Sequence, residues 1–118
     1  MLRPEGHLMD KYYDPGDLAR FGEIGRDAPQ LAKSFFDWYG KVFEEGELSK
    51  REKSLIALAV SHALQCPYCI DAFTTGSLEA GAGRGEMMEA VHVAAAIRGG
   101  AALVHGVQMM NRADGVSM

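Results

Sequence analysis

Apolar residues recur at helical spacing along most of the chain. In DPGDLARFGEIG, Leu18, Phe21 and Ile24 fall on one face of a helix. Asp14 followed by Pro15 supplies its N-cap and first helical position. Pro29 likewise opens a second helix, PQLAKSFFDWYGKVFEEG. There Leu31, Phe35, Trp38 and Val42 form one stripe, and Phe36, Tyr39 and Phe43 an adjoining one. Gly46 is expected to end that helix, being free to turn left-handed. Aromatics such as Phe35 and Trp38 are expected in the core.

Ser49-Lys50-Arg51-Glu52 is a capping box, so a third helix is predicted over about residues 50–65. After its first turn it is apolar almost all round, as in a helix central to a core or buried by a partner subunit. Pro67 disfavours helical geometry at Cys66. Cys66 is therefore expected as the N-cap of a new helix, CPYCIDAFTTGSLEAG, which stops at Gly81. Residues 81–85 read as a flexible link. The last segment, EMMEAVHVAAAIRGGAALVHGVQMMNRA, reads as helix with a kink or break at Gly99-Gly100. No strand-like alternation or internal repeat is present. The expectation is an all-α bundle of about five to six helices, with residues 1–10 a flexible leader and 11–118 a single domain. The apolar stretches 55–64 and 94–103 are more than one 118-residue chain readily covers, which predicts a homo-oligomer.

Composition narrows the function. The chain is 47% hydrophobic and carries a formal net charge of -4, with Lys and Arg scattered. That argues against nucleic acid as a partner, because phosphate binding needs a basic face. The apolar run Leu55–Val60 is too short to span a bilayer. The N-terminus has no secretion signal, so no membrane association and a cytoplasmic location are expected.

The chemistry lies in Cys66 and Cys69. Helix N-termini carry partial positive charge and free N–H groups, which favour a thiolate. The C-x-x-C spacing puts both sulfurs on one face, close enough to form a disulfide and be reduced again. A zinc half-site is the structural alternative, but His7, His62, His92 and His105 form no paired motif, so no metal or other cofactor is expected. Two inert buried thiols are another. His62, four residues before Cys66, is a candidate proton acceptor or a core histidine bonded to a carbonyl. Tyr68, between the cysteines, is a candidate donor to a bound peroxide or a packing residue. Asp71 suits the helix dipole. Paired thiolates also suit capture of a soft ligand such as a trivalent arsenical or a metal ion. A helical scaffold without chemistry is a further possibility.

From Leu48 to about Ala113 the chain resembles the AhpD / carboxymuconolactone decarboxylase family. The resemblance rests on LSKREKSLIALAVSHALQCPYCIDAF and EAVHVAAAIRGGAALV. Through YYDPGDL, FGEIG and QCPYCIDAFTTG it is also similar to the family's small peroxidase-like branch associated with arsenosugar biosynthesis. The resemblance implies an all-α fold assembling as trimers or hexamers. It also implies an alkylhydroperoxidase-type activity on a peroxide or disulfide, with a dithiol protein or small thiol as reductant. In it, Cys69 would be peroxidatic and Cys66 resolving. An N-cap position instead favours Cys66 as the better thiolate. The family's proton relay is missing: Ser54, Tyr68 and Phe73 occupy the positions of its Glu and two His. Lactone decarboxylation has no need of the cysteine pair.

Overall fold

The computed structural model describes residues 13–117, and every regular element among them is helical. A 3₁₀ segment, Pro15–Arg26, leads into α1 (Pro29–Val42), α2 (Lys50–Leu64), α3 (Pro67–Glu79), α4 (Arg84–Val104) and α5 (Gly106–Ser117). The expected leader, residues 1–10, lies outside the described residues.

Local sequence explains most boundaries. Asp14 accepts from the Gly16 N–H, and Pro15 follows it, as expected. The segment they start is 3₁₀, not α. Leu18, Phe21 and Ile24 are spaced by three, so a helix of three residues per turn aligns them on one edge. The Ser49–Glu52 capping box is complete in both directions, at 3.0 and 2.8 Å. Helix α3 ends before Gly81, whose φ of 91° is left-handed.

Two boundaries and one burial expectation need correction. Helix α1 stops at Val42, short of Gly46. Lys53 of α2 donates to the carbonyls of Val42 and Glu44 at 2.8 and 2.6 Å, so a cation from the next helix caps this end. Helix α4 runs through Gly99-Gly100, since a helical glycine costs only about 1 kcal/mol against alanine. The interruption falls instead at the single residue His105, between α4 and α5, whose backbone keeps right-handed helical geometry. Trp38 and Phe35 are not core: they are 63% and 37% exposed, because no further layer of the described residues covers the outer side of α1.

Helix α2 lies centrally, packed by α3 and α4, while the 3₁₀ segment bridges α1 and α3. The most buried positions are Leu58, Ser61, Ser77, Ala82 and Ala94, and four of the five are small, which lets the helices approach closely. Ser54 of α2 faces Gly76 of α3, where a Cβ would stand 3.9 Å from its hydroxyl. Exposed Arg51 and Glu86 pair across the starts of α2 and α4. An aromatic row ties the remaining layers together. Phe21 meets Phe36 edge-on at 5.0 Å, Tyr39 meets Phe43 at 5.1 Å, and Phe43 stacks on Phe73 of α3 at 5.2 Å.

The chain is open. Its radius of gyration is 19.5 Å, against about 13–14 Å for a compact domain of this length. Ile97, Leu103, Val104 and Val107 of the α4–α5 arm are all more than half exposed. The stretch Arg84–Val116 is long and apolar enough to cross a membrane by length and composition. At mid-stretch, however, Arg98 donates to the Ala63 carbonyl at 3.2 Å, and the α4 part packs along α2.

Candidate functional site

The site is built on the α2–α3 turn. Gln65 closes α2 in the left-handed region, with φ 55° and ψ 48°, and the chain reverses. Pro67 opens α3, and Cys66 is its N-cap, as the sequence predicts. The Cys69 N–H donates to the Cys66 sulfur at 3.2 Å. Cys66 thus fills the role that serine or aspartate takes at other helix starts, with sulfur as acceptor. The two cysteines are joined as a disulfide, their Cα atoms 5.3 Å apart.

Two cavities meet this disulfide. The first, of about 420 Å³, reaches both Cys66 and Cys69. Leu18, Phe21 and Ile24 of the 3₁₀ segment line one side of it, and Phe36 and Tyr39 of α1 another. Tyr68, Ala72 and Phe73 of α3 form a third side, and the charged Asp17 and Arg20 of the 3₁₀ segment also line it. The second, of about 460 Å³, reaches Cys69 only and runs along Ile56, Val60 and Leu64 of α2. Cys69, Tyr39 and Phe73 therefore stand between the two. Burial pushes the Tyr39 phenol above its ordinary pKa, which keeps it a neutral donor at this wall.

The 3₁₀ segment is fastened to the cysteine helix. Tyr68 donates to Asp17 at 3.0 Å, and Tyr13 donates to Asp71 at 2.8 Å. The rings of Tyr13 and Tyr68 meet edge-on at 4.8 Å. Desolvation and the Asp71 hydrogen bond hold the Tyr13 phenol above its usual pKa. These contacts were not legible in the sequence, because 58 and 51 positions separate the partners.

The other expected site residues fall differently. His62 lies next to Ser61 on α2, and its Nδ1 is 2.8 Å from the Leu58 carbonyl. A carbonyl only accepts, so Nδ1 is the donor in this bond, and Nε2 is left as the nitrogen available to other groups. His62 is in neither cavity wall. Phe73, at one relay position, lines both cavities, and Ser54, at another, packs against α3 two turns beyond Cys69. Exposed His92 and His105 line neither cavity. Among the described residues, no cluster of three or more His, Cys, Asp or Glu is placed to hold a metal ion.

Comparison with known proteins gives a consistent neighbourhood. Residues 29–112 match the carboxymuconolactone decarboxylase family. The chain is 42% identical over 91 residues to uncharacterized protein 4 of the cox locus of Paracoccus denitrificans, spanning 77% of this chain and 82% of that one. It is similar to a crystal structure from Methanobacterium thermoautotrophicum, with TM-score 0.70 and 38% identity over 73% of this chain and 97% of that one. It is also similar to the apo structure of a carboxymuconolactone decarboxylase family protein from Legionella pneumophila, with TM-score 0.63 and 28% identity over 75% and 80% of the two chains.

Proposed function

The chain belongs to the carboxymuconolactone decarboxylase family, and from that premise we propose that it is a thiol-dependent peroxidase or disulfide oxidoreductase cycling a Cys66–Cys69 disulfide. The observation that carries the reading is the pair itself: an N-cap sulfur held by the Cys69 N–H, beside a cavity that reaches both sulfurs.

The two sulfurs differ in a way that supports distinct roles. Cys69 faces both cavities and is the sulfur that incoming molecules meet. Its thiolate attacks the peroxide O–O bond, keeps one oxygen as a sulfenic acid, and releases an alkoxide that takes up a proton. The Cys66 sulfur accepts an N–H at the helix start, an environment that favours its thiolate. That thiolate displaces hydroxide from the sulfenic sulfur, which leaves as water once protonated. An external dithiol then attacks Cys69, and Cys66 departs as the better leaving group. This order agrees with the family order, and the helix-terminus argument applies to the resolving sulfur. His62, whose Nε2 the Leu58 bond leaves available, is the proposed proton acceptor.

The test is peroxide consumption with a dithiol reductant, comparing wild type with Cys66→Ser and Cys69→Ser. Equal rates in all three proteins would falsify the reading. The Cys66→Ser variant is expected to accumulate a sulfenic acid and Cys69→Ser is not.

We also infer a homo-oligomer, a trimer or hexamer as the family resemblance implies. The open chain and the bare apolar face of the α4–α5 arm support it. Light scattering coupled to sizing chromatography checks it. A monodisperse monomer, or recovery only in the membrane fraction, overturns it.

A further inference from the structure

We infer that the 3₁₀ segment Pro15–Arg26 is a substrate-selecting roof, and that it tunes the site toward bulky, ring-bearing hydroperoxides over small aliphatic ones and hydrogen peroxide. The inference rests on the peroxidase reading and adds what that reading leaves open, the class of substrate.

Three observations carry it. The first is position. The family match begins at residue 29, so the segment lies outside it, yet Leu18, Phe21 and Ile24 line the cavity that reaches both sulfurs. The generic family core therefore supplies the cysteines, and this segment supplies the cover over them.

The second is the chemistry of the wall. Phe21, Phe36, Tyr39, Tyr68 and Phe73 all line this cavity. Aromatic rings favour edge-on or offset contact with another ring, beyond what area burial alone gives. At about 420 Å³ the cavity lies within the range of small-molecule sites. Hydrogen peroxide can use the polar groups at the wall, Asp17, Arg20 and the two phenols, but gains nothing from the rings, and a tert-butyl group leaves much of the ring surface uncovered.

The third is that the roof is fastened at the reacting helix. Tyr68 donates to Asp17 inside the segment, and Tyr13, two residues before its start, donates to Asp71, so one clasp holds the segment and the other holds its entry against the first two turns of α3, beside the cysteines. A roof tied there fixes the distance between the apolar wall and Cys69. A ring-bearing hydroperoxide seated against the wall has its O–O bond directed at that sulfur. Cys69 takes the terminal oxygen, and the alcohol is left in the cavity after the alkoxide is protonated.

The experiment measures second-order rate constants for oxidation of the reduced full-length protein by cumene hydroperoxide, tert-butyl hydroperoxide and hydrogen peroxide. In parallel, binding of 2-phenyl-2-propanol, the alcohol from cumene hydroperoxide, is followed by ligand-observed NMR. Wild type is expected to prefer cumene over tert-butyl hydroperoxide by about tenfold or more and to bind the alcohol. Leu18→Trp, which fills the cavity, should cut that preference at least fivefold and abolish binding. Asp17→Ala, which removes the acceptor of the clasp at the cavity edge, should weaken both in the same direction. An unchanged preference and unchanged binding in both variants overturns the roof. So does wild type that fails to bind the alcohol. If no peroxide oxidises wild type, the peroxidase reading falls. In that case binding to wild type that is lost in Leu18→Trp still supports the roof as a site for ring-bearing ligands.

Discussion

The Tyr68 hydroxyl donates to the Asp17 carboxylate at 3.0 Å, tying the residue between the two cysteines to a helix 51 positions earlier. The tie is reciprocal, because Tyr13 donates to Asp71 at 2.8 Å. Each segment supplies one tyrosine and one aspartate, and the two rings pack edge-on between the bonds. Both carboxylates accept and both phenols donate, so neither bond depends on a charged donor.

Removing one clasp should loosen the 3₁₀ segment without unfolding the bundle. Tyr68→Phe keeps the ring and deletes the donor, and the expected cost is about 0.5–1 kcal/mol for a partly exposed hydrogen bond. Hydrogen exchange should quicken in residues 15–26 and stay unchanged in α2. Equal exchange in wild type and variant would show that the aromatic contacts alone hold the segment.

Alkaline pH should release the second clasp. The Tyr13 phenol is held above its ordinary value by desolvation and by the Asp71 hydrogen bond. A raised pKa means that the folded state favours the protonated form. The stabilisation is therefore full below the ordinary value of 10.0 and is lost as pH rises through the higher folded value. A tyrosinate cannot donate to Asp71. Exchange in residues 15–26 should rise above pH about 10 in wild type, and Tyr13→Phe should already show the loosened state at neutral pH. A flat alkaline profile counts against the clasp.

The sequence carries the signals that act over one helical turn. Asp14-Pro15, Ser49-Glu52 and Cys66-Pro67 set their helix starts, because the cap and the groups it satisfies lie within three residues. Where a distant group decides, the sequence is silent. Lys53 ends α1 from across a loop, and Phe35 and Trp38 stay exposed because no layer of the described residues reaches them. Gly99-Gly100 reads as a break, yet its cost is small beside the packing of α4 on α2. The disulfide pair was legible for the same local reason as the caps. The cavity was not, since its walls come from three separate elements.

The capping box gives a stability prediction with a pH signature. Ser49→Ala removes the acceptor for the Glu52 N–H and should cost about 1 kcal/mol. A loss of that size lowers Tm by roughly 3–6 °C in a domain of this length. The Glu52 carboxyl is held below its ordinary pKa, first by the Ser49 N–H it accepts and then by the Ser49 hydroxyl. A depressed carboxyl stabilises above its ordinary value of 4.5, and that contribution is lost as pH falls through the lower folded value. The Tm difference between wild type and Glu52→Gln should therefore be full at pH 7 and narrow below pH about 4. A difference that is constant with pH would assign the effect to packing.

His62 offers the sharpest division between a chemical and a structural role. Its Nδ1 donates to the Leu58 carbonyl at 2.8 Å, a bond available to any histidine placed on this helix. The bond leaves Nε2 available to other groups, yet the ring stands outside both cavity walls. If His62 takes the thiol proton, His62→Phe should slow disulfide formation by about 10²-fold, the lower end for positioned acid–base catalysis. The pH–rate profile should then lose one inflection and keep only that of the attacking thiol. Loss of the hydrogen bond alone predicts a different result, a small fall in Tm with rate and profile unchanged. Measuring both Tm and the full profile separates the two. An unaltered profile with a lowered Tm removes His62 from the reaction and leaves solvent as the proton acceptor for Cys69.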